Sequence, residues 1–152
     1  MKRTIGVLLC VLALTVGLMA ASSAETVTKT GTGELKKIVA TNGANAVTVK
    51  VYGPGGACKI RQLQVNLTGR DGRKYDITGT CYETWVKYIY YGETRVRCAD
   101  FVMRYNSDLK FWRVYVPRSC LKNLTNRIKV QALIFGPAVP STAGPTRWLT
   151  RG

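Results

Sequence analysis

The sequence predicts an all-β chain folded as an antiparallel β-sandwich, Ig-like or jelly-roll-like, of about eight strands braced by two disulfides. Three observations carry this. Apolar residues alternate with polar ones in several short runs, the period of a half-buried strand. Turn dipeptides such as Asn42-Gly43 and Asp71-Gly72 separate the runs. No stretch after residue 24 sustains a helical period. An open barrel is the competing architecture.

The first 24 residues stand apart. Lys2 and Arg3 precede an apolar run from Ile5 to Met19, and Ser22-Ser23-Ala24 supplies small residues for cleavage. This pattern predicts a secretory signal peptide over 1–24, which takes Cys10 with it. The alternative, a membrane anchor, meets a run short for a span and no basic stop-transfer flank. The expected organisation is a β-sandwich domain over 25–136 and a flexible carboxy-terminal tail over 137–152, a Gly-, Pro-, Ser- and Thr-rich stretch with basic ends.

Within the domain, 25–35 is polar and reads as an edge strand or a lead-in. A strand is expected over Lys36–Thr41. The next, Asn45–Tyr52, has Val47, Val49 and Val51 on one face and Thr48 and Lys50 on the other. Gly53-Pro54-Gly55-Gly56 ends it. Lys59–Thr68 alternates again, Leu63, Val65 and Leu67 inward against Gln62, Gln64 and Asn66, and Lys74–Thr80 returns after Asp71-Gly72. Glu83–Tyr91 is aromatic and β-branched, and Thr94–Arg97 follows Gly92-Glu93.

Cys98–Cys120 reads as a hairpin around Ser107–Lys110. Phe101, Met103 and Tyr105 would then meet Trp112, Val114 and Val116 on one core wall. Arg104 falls opposite Arg113 on the other face, where like charges imply water or an anion. A short helical turn is expected between Ser119 and Leu124, and Arg127–Phe135 forms the last strand, with Ile128, Val130, Ala132 and Ile134 inward.

Four cysteines remain after residue 24: Cys58, Cys81, Cys98 and Cys120. An even count behind a secretory leader reads as two disulfides, for which three connectivities are open. Twenty-two residues lie between the first two and twenty-one between the last two, which favours local pairing over crossed pairing. Loops of this size are each worth roughly 3 kcal/mol in the chain-entropy model.

Charge and composition narrow the function. The net charge is +15, or +13 over residues 25–152. Such a chain attracts polyanions: teichoic acid, anionic lipid, polysaccharide or nucleic acid. The candidate anion-binding residues are Arg95, Arg97, Arg104 and Arg113. Histidine is absent, which excludes Ser-His, Cys-His and His-metal arrangements. No metal or cofactor is expected; Asp71/Asp76 and Asp100/Asp108 lack the spacing of a calcium loop. The eight carboxylates fall mostly at turns and strand ends, leaving a carboxylate-dependent hydrolase as a minor alternative.

The aromatic stretch Tyr82–Tyr91 is a candidate recognition platform through Trp85, Tyr88 and Tyr90, or else core packing. Alternation puts Tyr82, Tyr88 and Tyr90 on one face and Trp85, Lys87, Ile89 and Tyr91 on the other. Val116-Pro117-Arg118-Ser119 beside Cys120 raises a second alternative, a protease inhibitor, against the plainer reading of a strand end. Asn66-Leu67-Thr68 and Asn123-Leu124-Thr125 match the glycosylation sequon, which matters only in a eukaryotic host.

The segment from Cys98 to Gly152, a hairpin closing on VPRSCL with a polar tail behind it, resembles small exported β-sandwich proteins of actinobacteria. The resemblance implies a secreted sandwich and supplies no activity or site residues. The expected protein is thus a secreted, basic, monomeric, non-catalytic binding or surface-interaction module. Its partner would be anionic cell-wall polymer or polysaccharide, with no membrane span and no specific nucleic acid.

Overall fold

A computed structural model describes residues 23–56, 58–137 and 140–152. The expected leader, 1–24, lies outside these except for Ser23 and Ala24. Among the described residues no helix is long and apolar enough to cross a membrane.

The alternating runs become two antiparallel sheets. The first contains β1 (Glu25–Thr30), β2 (Lys37–Asn42), β3 (Ala46–Tyr52), β8 (Val102–Asn106) and β9 (Phe111–Pro117), in the order β1-β2-β3-β9-β8. The second contains β4 (Gln62–Gly69), β5 (Lys74–Cys81), β6 (Trp85–Tyr91), β7 (Thr94–Arg95), β10 (Arg127–Phe135) and β11 (Ser141–Ala143), in the order β11-β10-β4-β5-β6-β7. A last strand, β12 (Leu149–Thr150), also pairs with β10. Among the described residues the fold is an all-β sandwich of twelve strands rather than about eight. The surplus comes from short edge pieces, which carry no period of their own.

The core is where the inner faces meet. Ile38, Ala40, Val47, Val49, Val51, Met103, Trp112, Val114 and Val116 come from the first sheet. Leu63, Val65, Leu67, Tyr75, Ile77, Ile89, Ile128, Val130, Ala132 and Ile134 come from the second. Glycine matters once here. A Cβ on Gly79 would run into Met103 Sδ and the Trp85 ring. The bare position leaves room for Trp85 to stack on Trp112, with ring centroids 4.5 Å apart.

The hairpin has the expected register, Tyr105 opposite Trp112, Arg104 opposite Arg113 and Met103 opposite Val114. The disulfides are the local pair, Cys58–Cys81 and Cys98–Cys120, with Cα atoms 5.5 and 5.6 Å apart. The helical turn is a single 3-10 turn over Arg118–Cys120, starting one residue earlier than expected; Leu121 and Leu124 behind it are buried.

Within the stretch expected as a flexible tail, 137–152, the described residues hold two further strands. β11 pairs with Ala132–Ile134, and β12 pairs with Arg127 and Ile128. Between them Thr146, 3 % exposed, accepts the Val130 N–H on its Oγ1 at 3.0 Å and donates its own N–H to Val130 O at 2.9 Å. The segment is a broken edge strand, a place where proline is tolerated. It also clasps the start of the domain. Thr150 N–H donates to Glu25 Oε2 at 2.6 Å, Arg147 pairs with Glu25, and Gly152 N–H donates to Asn42 O at 3.0 Å.

Candidate functional site

The outer faces differ in chemistry. On the first sheet the register lines up Lys37, Tyr52, Phe111 and Asn106 in one row. Val39, Lys50, Arg113 and Arg104 form the next, and Thr41, Thr48, Tyr115 and Val102 the third. β1 adds Thr26, Thr28 and Thr30. Four cations stand here and no carboxylate. Lys37 Nζ lies 4.7 Å from the Tyr52 ring centre, Lys50 Nζ 5.3 Å from that of Phe111, and the Arg113 guanidinium 5.7 Å from that of Tyr115. Among the described residues the ion pairs are Arg73–Asp71 and Arg147–Glu25, so none of the four cations is neutralised by a carboxylate. A shallow depression of about 380 Å³ opens between Thr48, Lys50, Arg104, Asn106, Phe111 and Arg113.

The four predicted arginines do not form one cluster. Arg104 and Arg113 share the row above and gain Lys50 beside Arg113. Arg95 lies on β7 at the edge of the other sheet, opposite Tyr90, with its guanidinium 4.5 Å from the Tyr88 ring centre. Thr94–Arg97 is not a full strand: β7 ends at Arg95, and Arg97 lies in the connection to Cys98.

The aromatic platform likewise divides. Trp85 faces inward onto Trp112, and its buried indole N–H has no hydrogen-bond partner among the described residues. Tyr88 and Tyr90 are on the outer face, ring centres 6.2 Å apart. The three residues therefore do not make one surface, because their sequence positions alternate across the sheet. Tyr82 is 74 % exposed in the turn before β6. Around Tyr88 and Tyr90 the outer face carries Gln62, Gln64, Asn66, Thr78, Thr80 and Gln131, half-buried amides and hydroxyls. Gln64 Nε2 donates to Asn66 Oδ1 at 2.9 Å. Asp76, opposite Tyr90, and Arg95, over Tyr88, add charges of both signs to this face, with Lys74 and Lys129 further along it.

A third feature lies at the end of the sandwich where β3 stops and β4 begins. A cleft of about 540 Å³ is walled by Tyr52, Pro54 and Tyr105 and rimmed by Glu34, Lys36, Lys59 and Lys110. Trp112 Nε1 donates to Pro54 O at 3.0 Å, and Lys36 N–H donates to Tyr52 O at 2.8 Å, so the loops that form the walls are tied to the sheet. A second depression, about 570 Å³, lies against Trp85, Met103, Tyr105 and Trp112 and has Glu83 at its margin. The residues of the first cleft escaped sequence reasoning; the one local signal was the Gly-Pro-Gly-Gly run after Tyr52.

Arg118 is not displayed. Its Nη2 donates to Asn42 Oδ1 and its Nε to Gly43 O at 3.4 Å. Burial, with Arg151 nearby, pushes its guanidinium down to about 10. Among the described residues no three Cys, Asp or Glu side chains come together as a metal site. Asp71 is engaged with Arg73, and Glu34 and Glu83 line different depressions. Compared with protein-family models, curated proteins and solved structures, the chain matches none.

Proposed function

We propose that the protein is an exported, non-catalytic binding module for polyanionic or carbohydrate envelope material, working as a monomer through the outer face of its five-stranded sheet. The observation that carries the reading is the row Lys50–Arg113–Arg104, with Lys37 one row away and no carboxylate on that face. Strands are about 4.8 Å apart. The row thus spaces its positive charges regularly over about 10 Å, complementary to a repeating anion rather than to one small ion. Arginine suits carboxylate, sulfate and phosphate because its planar fork donates two parallel hydrogen bonds.

Export is supported by the amino-terminal leader pattern and by the two disulfides, which persist in oxidising compartments. The resemblance through VPRSCL to exported actinobacterial sandwiches agrees with it. The inhibitor alternative loses support because Arg118 is folded inward. A second reading, a neutral glycan on Tyr88 and Tyr90, is favoured by the amide and hydroxyl groups around them, which match sugar hydroxyls in both donating and accepting.

The test is retention of the protein on purified cell wall and on immobilised alginate across a salt series. Wild type elutes early as salt rises, since the screening length is about 8 Å at physiological strength, and Arg104→Gln with Arg113→Gln elutes earlier still. Retention that ignores both salt and the double substitution refutes the reading. Loss on Tyr88→Ala instead would favour the glycan face.

A further inference from the structure

We infer that the lysine-rimmed cleft at the loop end is a second, built site that takes a single acidic sugar unit, a pyranose carrying a carboxylate or a phosphate. The identity of the sugar as part of a polymer rests on the reading above; the cleft's own chemistry does not.

The volume, about 540 Å³, lies within the range of small-molecule sites, roughly 300–1,000 Å³. Its walls are flat and apolar, suited to the C–H faces of a sugar ring. Tyr105 is held in place from two sides. The Gly55 backbone lies so close to its ring that a Cβ there would run into it, and Trp112 packs 5.3 Å away, centre to centre. A wall fixed before the ligand arrives loses little freedom on binding.

The rim is acid-selective. Lys36, Lys59 and Lys110 face one carboxylate, Glu34, and no ion pair among the described residues neutralises any of them. Three ammonium groups suit an acidic substituent, and Glu34 can accept hydrogen bonds from ring hydroxyls. Lys110 closes the hairpin loop at a φ of +54°, the left-handed position that returns the chain to β9. The cleft also adjoins the cation rows. Tyr52 in its wall is the cross-strand partner of Phe111, which lines the depression beside Lys50 and Arg113. A polymer with one unit in the cleft has its neighbours led onto that face.

The experiment is an NMR titration of the full mature chain with glucuronate, glucose 6-phosphate and glucose. It is run on wild type, on Lys36→Gln with Lys110→Gln, and on Arg104→Gln with Arg113→Gln. Both acids should bind more tightly than glucose, and the tighter acid identifies the substituent. The lysine variant should lose about tenfold or more in acid affinity, the effect of one charge-assisted hydrogen bond. The arginine variant should bind the monosaccharides as wild type does. Equal binding of glucose and the acids, no binding of any, or an unaffected lysine variant overturns the inference. Retention on alginate, measured on the same variants, separates the two claims. Its loss in the arginine variant with no monosaccharide binding overturns the cleft alone. Unchanged retention with lysine-dependent monosaccharide binding overturns the polymer face alone. All the substituted side chains are exposed, and a cooperative melting transition in each variant confirms that it folds.

Discussion

Arg104 and Arg113 face each other across two paired strands, and this costs stability that a binding surface would return as affinity. Replacing Arg104 separates these effects because they have opposite signs. A like-charge cross-strand pair destabilises by about 0.2–1 kcal/mol. Coulomb's law in water gives about 0.7 kcal/mol for unit charges roughly 6 Å apart. Arg104→Gln removes that repulsion, so the fold should gain about 0.5 kcal/mol. Arg104→Glu turns it into an attraction and should gain about 1–1.5 kcal/mol. For a domain of this size each kcal/mol moves the melting temperature by about 3–5 °C. Urea unfolding at low ionic strength, followed by tryptophan fluorescence of the stacked Trp85 and Trp112, reads the change. High salt should shrink the gain. Polymer affinity should fall in the order Arg, Gln, Glu while stability rises in that order. If both variants are less stable than wild type, Arg104 has a structural role that the repulsion argument misses. If affinity is independent of the charge at 104, the row is not the binding surface.

Four further outcomes follow from particular contacts. Thr146→Val keeps the shape but leaves the buried Val130 N–H without an acceptor, which should cost about 1–3 kcal/mol in a urea melt, while Thr146→Ser stays near wild type. Gly79→Ala forces a methyl group against Met103 and Trp85 and should cost about 1–3 kcal/mol, with a changed tryptophan emission. The Thr150 N–H, followed by Arg147, holds the Glu25 carboxyl below its ordinary value. Its contribution is therefore complete above the usual carboxylate range and is lost as pH falls through the lowered value; exchange of the Thr150 amide should quicken there. The protein should not inhibit trypsin at stoichiometric ratios; inhibition abolished by Arg118→Ala would show that Arg118 leaves Asn42 and Gly43.

What was legible in the sequence was local. Val47, Val49 and Val51, or Ile128 through Ile134, declare a buried face because a strand has a period of two. The hairpin register could be read because four residues close the loop, and that placed Arg104 beside Arg113. The cysteine spacing favoured the observed pairing for the same reason. Lys50 joined that row through β3–β9 pairing, between segments some sixty residues apart, which no local pattern announces. The cleft is likewise a convergence of three loops from different parts of the chain. Trp85 and Tyr88 are near in sequence and fall on opposite faces by the same alternation, so the aromatic stretch divides between core and surface. In the carboxy-terminal segment Gly144 and Pro145 look like breakers, and β11 and β12 are too short to declare themselves. Its order comes instead from β10, whose free edge supplies partners to pieces too short to show a period.

The clasp between Glu25 and Thr150 has a directional consequence. Asn42 and Gly152 meet at the same end, whereas Tyr52 and Lys36 mark the opposite one. Anything joined before Glu25 or after Gly152, whether a fusion partner, an affinity tag or a leash to a surface, emerges from the pole away from the cleft. A molecule immobilised by either terminus therefore presents the mouth of the cleft, with Leu109 and Lys110 at the hairpin tip, outward to whatever passes.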